Sequence, residues 1–235
     1  SFVLEKLRIK KSLDPDCIGF GVERHRYELQ PPIEESKLES LEARYGISLP
    51  GSYRRFLLTI GNGGAGPGYG LYSLEGALCG TPDKAYGYPG SEAGEEIRKP
   101  FIRPDQILKE DEHDDQGMLT LCQHGCAHDD FLVLNSAERG FVWTYIEWAG
   151  HHVPLLKRMP SFLQLNDAPI KDRPQAERKL INTLLSATND RKMNFSDWYG
   201  DWLEKPPYIL PNARKQTRND NRRFTVRKDG TLDYT

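Results

Sequence analysis

Four residues within one stretch of seven carry metal-binding chemistry. CQHGCAH places Cys122, His124, Cys126 and His128 at alternate positions, and zinc accepts thiolate and imidazole ligands in tetrahedral sets. The spacing argues against a site made from these four alone. Zinc motifs separate two ligand pairs by a loop of a dozen or so residues, whereas alternate residues of an extended strand lie about 6.6 Å apart along one face. Gly125 could bend the chain, and His113, His151 or His152 could contribute from elsewhere. The reading favoured here is small apolar thiols beside a turn, with no metal ligand and no cofactor. Cys126 with a distant histidine would be a nucleophilic dyad on paper. No G-x-S-x-G elbow and no helix N-terminus marks it, so no catalytic residue is assigned.

A second motif is GNGGAG, residues 61–66, which satisfies G-x-G-x-x-G. A dinucleotide loop follows a strand and opens a helix, whose N-terminus holds the pyrophosphate. Here the context is reversed. Tyr53, Phe56, Leu57 and Ile60 recur at helical spacing before the loop, and Pro67 with a short strand candidate at Leu71–Leu74 follows it. No Gly-Lys-Ser/Thr follows either. Glycines accept positive φ and let backbones approach closely, so the stretch reads as a helix-to-sheet turn. Positive φ is expected at Gly61, Gly63 or Gly64.

Charge is clustered at two places. Glu110, Asp111, Glu112, Asp114 and Asp115 form an acidic run, which reads as a solvated loop or, more sharply, as a contact surface for a basic protein partner, because clustered charge steers encounter. The stretch from Arg214 to Lys228 is basic, but Phe224 is its one aromatic residue. A single-strand nucleic-acid binder interleaves stacking aromatics with its cations, so this stretch reads as a linker and a protected edge strand. Direct nucleic-acid binding is not expected.

The elements that must position these residues change character along the chain. Leu38, Leu41 and Tyr45, with Gly46 as a stop, predict one helix, and SLPGSYRRFLLTIG predicts the next. Met118–Cys122, Phe131–Asn135 and Phe141–Ile146 are rich in strand formers, with SAERG as a hairpin connection, and His152–Leu156 is a further strand candidate. DRPQAERKLINTLLSATN reads as a helix. In NFSDWYGDWLEK, Asn194 or Ser196 caps a helix on which Phe195, Trp198, Trp202 and Leu203 share a buried stripe. A hairpin signal surrounds Asp229 and Gly230. Helices, then strands, then helices argue for an α+β fold with an antiparallel sheet.

The chain has 235 residues, of which 37 % are hydrophobic and 28 % charged, and its formal net charge is −2. Such a balance does not coat nucleic acid or an anionic membrane. No apolar run approaches the ~20 residues of a membrane span, and SFVLEKLRIKK lacks the pattern of a signal peptide. Four cysteines are too few for a disulfide scaffold, so cytoplasmic, reduced thiols are expected.

Several of these pieces together resemble the SUKH superfamily, of the Smi/Knr type. Its N-terminal signature is matched by Leu49, Pro50, Tyr53, Phe56, Leu57, Asn62, Gly63 and Gly64. Its central strands resemble Gly125, Cys126, Leu132, Val133, Leu134, Asn135, Gly140, Val142 and Trp143, and its closing helix resembles Trp198, Tyr199, Trp202 and Leu203. The resemblance implies a central curved, mainly antiparallel β-sheet flanked by helices. It divides the chain into an N-terminal extension (1–26), the domain (27–207) with an insertion near 157–193, and a basic extension (208–235) ending in a β-hairpin. Ser136 stands where glycine is common in the family. The implied function is a non-catalytic immunity protein that binds and neutralises a cognate toxin domain, such as a nuclease. The alternatives are a regulatory scaffold related to cell-wall synthesis signalling and, more remotely, a Cys/His metal- or thiol-dependent enzyme.

Overall fold

The computed structural model describes residues 1–79, 93–106, 116–125, 128–146, 150–159, 173–209, 224–226 and 232–234. Five helices come first: α1 (Phe2–Leu13), α2 (Val22–His25), α3 (Glu35–Tyr45), α4 (Gly51–Thr59) and α5 (Leu74–Cys79). Strands β1 (Met118–Gln123), β2 (Asp129–Val133), β3 (Val142–Ile146) and β4 (His151–Pro154) follow, then α6 (Arg173–Leu185) and α7 (Phe195–Glu204). Strands β5 (Phe224–Val226) and β6 (Leu232–Tyr234) pair antiparallel. The central sheet runs β1-β2-β3-β4 with every pair antiparallel. The fold is therefore α+β. No helix among the described residues is long and apolar enough to cross a membrane.

Alternation along the strands gives the sheet two apolar faces, and helices cover both. Leu119, Leu121, Leu132 and Val142 join a core with Leu38 and Leu41 of α3, Tyr53, Phe56 and Leu57 of α4, and Phe195, Tyr199 and Leu203 of α7. Met118, Val133, Trp143 and Val153 pack instead with Phe101 and with Leu184 and Leu185 of α6. Strand side chains point alternately to opposite faces, which is why neighbours such as Leu132 and Val133 enter different cores. Helix α7 is held in place by its ring stripe: Phe195 lies 4.8 Å from Tyr53 and 5.2 Å from Phe56, and Tyr199 lies 4.9 Å from Phe56. Asn194 caps it, its side chain accepting from the Asp197 N–H at 3.0 Å. Outside α7 lies α1, whose Lys10 donates to the Lys205 carbonyl at 2.6 Å and sits 4.6 Å over the Trp202 ring.

The glycine loop continues the sheet beyond β1. Single β-bridges link Leu29 to Gly64, Gly64 to Leu71, and Leu71 to Cys122. Gly63 and Gly64 take φ of 94° and 103°. A Cβ on Gly64 would fall 2.5 Å from the Glu28 carbonyl oxygen, so the crossing of three backbone segments needs a bare Cα there. The strand expected at Leu71–Leu74 is reduced to the two isolated bridges of Leu71, after which the chain turns into α5. The cause is capping: the Asn62 side chain accepts the Leu74 N–H at 2.8 Å, and Ser73 Oγ accepts the Gly76 N–H at 3.0 Å. These bonds satisfy N–H groups that a helix start leaves open.

Candidate functional site

The β1–β2 hairpin builds the one place among the described residues where metal-binding side chains converge in a group of three. Its register carries an irregularity. Thr120 pairs with Phe131, but the next partners are Cys122 and Asp130, so Leu121 is an extra residue on β1. A bulge of this kind turns the strand and re-aims the side chains that follow. Leu121 and Cys122 are both buried as a result, and Cys122 comes to lie beside Asp130. The hairpin closes with the His124 N–H donating to the His128 carbonyl at 2.7 Å, over Gly125 at φ 82°.

His124 lies one residue past the last paired position, Gln123, so strand pitch does not hold its side chain away from Cys122. Its Nε2 is 2.9 Å from Asp130 Oδ2 and 3.6 Å from Cys122 Sγ, and the sulfur is 3.9 Å from the same carboxylate oxygen. The indole Nε1–H of Trp198, from α7, donates to Asp130 Oδ2 at 3.0 Å. Asp130 is thus buried and fixed from two directions. His124 and Asp130 also line an open cleft of about 270 Å³ whose walls include Pro67, Trp198 and Trp202, with Lys157, Asp201 and Lys205 among its charged residues.

The electrostatics follow from burial and from the shared carboxylate. Burial pushes the Cys122 thiol up to about 11. Burial also works against a charged His124, but the Cys122 sulfur and the bond to Asp130 outweigh it and raise its pKa. At neutral pH the thiol is uncharged, so the Asp130 carboxylate is the partner that favours the imidazolium there. Burial raises the neighbouring Asp129 as well.

The arrangement is not that of a nucleophilic triad. In a triad the imidazole faces the nucleophile with one nitrogen and the carboxylate with the other. Here sulfur and carboxylate crowd the same Nε2, and Cys122 is fully buried.

Sequence spacing alone did not bring His124 to Cys122, and it missed Asp130. The available signal was a pair of carboxylates leading directly into an apolar strand, in DDFLV. His128 ends the hairpin turn outside the cluster. His152 packs against Phe131 and Tyr145, at 4.9 and 5.2 Å, and His151 is exposed on β4. Cys126, His113 and the acidic residues Glu110, Asp111, Glu112, Asp114 and Asp115 lie outside the described residues.

A family model, the SMI1 / KNR4 family (SUKH-1), matches residues 32–165. That span begins just before α3, includes the glycine loop and all four strands of the central sheet, and ends before α6 and α7. No curated protein and no solved structure matches the chain.

Proposed function

The chain belongs to the SMI1/KNR4 family (SUKH-1), and on that premise we propose that it is a non-catalytic, cytoplasmic binding module of the immunity type. It binds a toxin domain and neutralises it by surface complementarity. Domains of this family are commonly protein-interaction modules, which supports the general class. The observation that carries the non-catalytic part is the geometry at Cys122: the thiol is fully buried and shares a single imidazole nitrogen with Asp130.

A toxin that is a nuclease needs a basic site to hold phosphates. The run Glu110, Asp111, Glu112, Asp114 and Asp115 offers the complementary charge. The test is to identify what is encoded beside this gene and to co-express any toxin-like domain found there with this chain, followed by binding kinetics. Rescue of growth is expected. Charge reversal at Asp111, Glu112, Asp114 and Asp115 should slow association, and most at low salt, where surface charges are least screened. Undiminished killing would overturn the immunity reading in favour of a regulatory scaffold. Unchanged association by the reversed variant would remove the acidic run from the interface.

A further inference from the structure

The geometry points to a divalent metal site of the zinc class formed by Cys122 Sγ, His124 Nε2 and an Asp130 carboxylate oxygen. All three ligand atoms lie within 4.8 Å of one another. Their separations are 3.6, 3.9 and 2.9 Å. Zinc bonds of about 2.3 Å to sulfur and about 2.0–2.1 Å to nitrogen and oxygen, spread tetrahedrally, would set ligand separations of about 3.3–3.6 Å. A triangle with the observed sides has a circumradius of about 2.0 Å, so an ion slightly off its plane reaches all three atoms near the bond lengths of zinc. No chain rearrangement is needed beyond a few tenths of an ångström.

Three further observations favour an ion. The donor set is one soft sulfur, one imidazole and one carboxylate, which suits zinc and its late first-row neighbours over magnesium or calcium. The charges also balance, since a thiolate and a carboxylate neutralise a dication in a buried place where net charge is costly. Finally, Trp198 already supplies the outer support that metal-bound carboxylates take, by donating to Asp130 Oδ2. His124 and Asp130 also line the cleft, which gives an entry path and room for a water or a partner side chain as fourth ligand.

Binding is a proton exchange. The Cys122 thiol gives up its proton to bind as thiolate, and His124 binds through an unprotonated Nε2, so affinity rises with pH. The site stands apart from the partner reading, because it is assayed on the isolated chain while neutralisation is assayed in cells.

The test is titration of the purified, untagged full chain with cobalt(II), with zinc(II) as competitor. One equivalent should bind and produce a sulfur-to-metal charge-transfer band together with the strong d–d absorption of tetrahedral cobalt, and zinc should displace it. Cys122→Ser should abolish the charge-transfer band, whereas Cys79→Ser should keep it. Asp130→Asn should weaken binding. Trp198→Phe, which removes only the supporting hydrogen bond, should weaken it about 10- to 100-fold with the band retained. Circular dichroism checks that each variant folds. The wild-type titration keeps the site falsifiable even if a variant fails to fold, since a folded chain that binds no cobalt overturns the site. A charge-transfer band that survives Cys122→Ser overturns it too, by placing the metal on another thiol.

Discussion

The buried pair of Glu138 and Lys192 makes an asymmetric prediction. Lys192 Nζ donates to both carboxylate oxygens of Glu138, at 2.6 and 2.7 Å, and the side chains of Lys192 and Glu138 are only 2 % and 6 % exposed. The pair ties the turn between β2 and β3 to the segment between α6 and α7. At 2.7 Å and an effective dielectric of 20 their attraction is about 6 kcal/mol, but removing two ions from water costs several kcal/mol each and offsets it. The net worth is small, while loss of one partner strands the other. The two losses are not equal. Without Lys192, Glu138 still holds Arg103, whose Nη1 is 3.0 Å from Oε1. Without the Glu138 charge, Lys192 keeps Asn189 Oδ1 at 3.2 Å and a contact with the Phe141 ring, neither of them an anion, together with a screened attraction to the exposed Asp105, which Arg103 already holds. Glu138→Gln should therefore cost about 3 kcal/mol or more, as expected for an uncompensated buried charge. Lys192→Met should cost about 1–2 kcal/mol, and the double variant should recover much of the larger loss. For a chain of this length each kcal/mol is about 2 °C in Tm, so Glu138→Gln should melt roughly 6 °C lower. Urea unfolding followed by tryptophan fluorescence measures all three. A cost under about 1 kcal/mol for Glu138→Gln, or a larger cost for Lys192→Met, would refute the reasoning.

Two further outcomes follow from single residues. His25 is buried against Tyr27 and Trp202, its Nδ1 accepts the Tyr27 N–H at 3.0 Å, and its Nε2 is buried without a partner. Burial, and then the charge of Lys10, hold its pKa down to about 4. From pH 6.5 down to 4 the unfolded chain takes up a proton that the fold refuses, so stability present above 6.5 should fall by roughly 3 kcal/mol across that window. In His25→Phe this slope should largely vanish in unfolding midpoints measured against pH. Ser136 is exposed and sits at φ 61°, where a residue with a Cβ pays about 1–2 kcal/mol and glycine does not. Its hydroxyl makes only a 3.4 Å contact with the Glu138 N–H. Ser136→Gly should stabilise by about 0.5–1 kcal/mol after the extra entropy of glycine in the unfolded chain; a lower thermal midpoint would contradict this.

What was legible in the sequence was what local spacing decides. The stripe in FSDWYGDWLE predicts α7 and its buried face, because a helix brings residues three and four apart onto one side. Gly46 ends α3 at φ 62°, as its place after the last apolar residue predicts. The Asn62, Gly63 and Gly64 turn is recognised from the helix before it. Leu71–Leu74 reads as a strand because its apolar residues suit one, and only the Asn62 side chain, twelve residues back, converts Leu74 into a helix start. The cluster at Cys122 fails to show for a related reason. Spacing within one strand sets Cys122 and His124 apart, and it says nothing about Asp130. Their meeting depends on the extra residue at Leu121, on the antiparallel register that sets Cys122 opposite Asp130, and on α7 delivering Trp198 from 68 residues away. The same holds for Glu138 and Lys192, 54 residues apart. Both polar clusters are fixed by the approach of α6 and α7 to the sheet, and those helices lie beyond the part of the chain that the family model matches. Both clusters therefore sit at the junction between the central sheet and the segment that closes it.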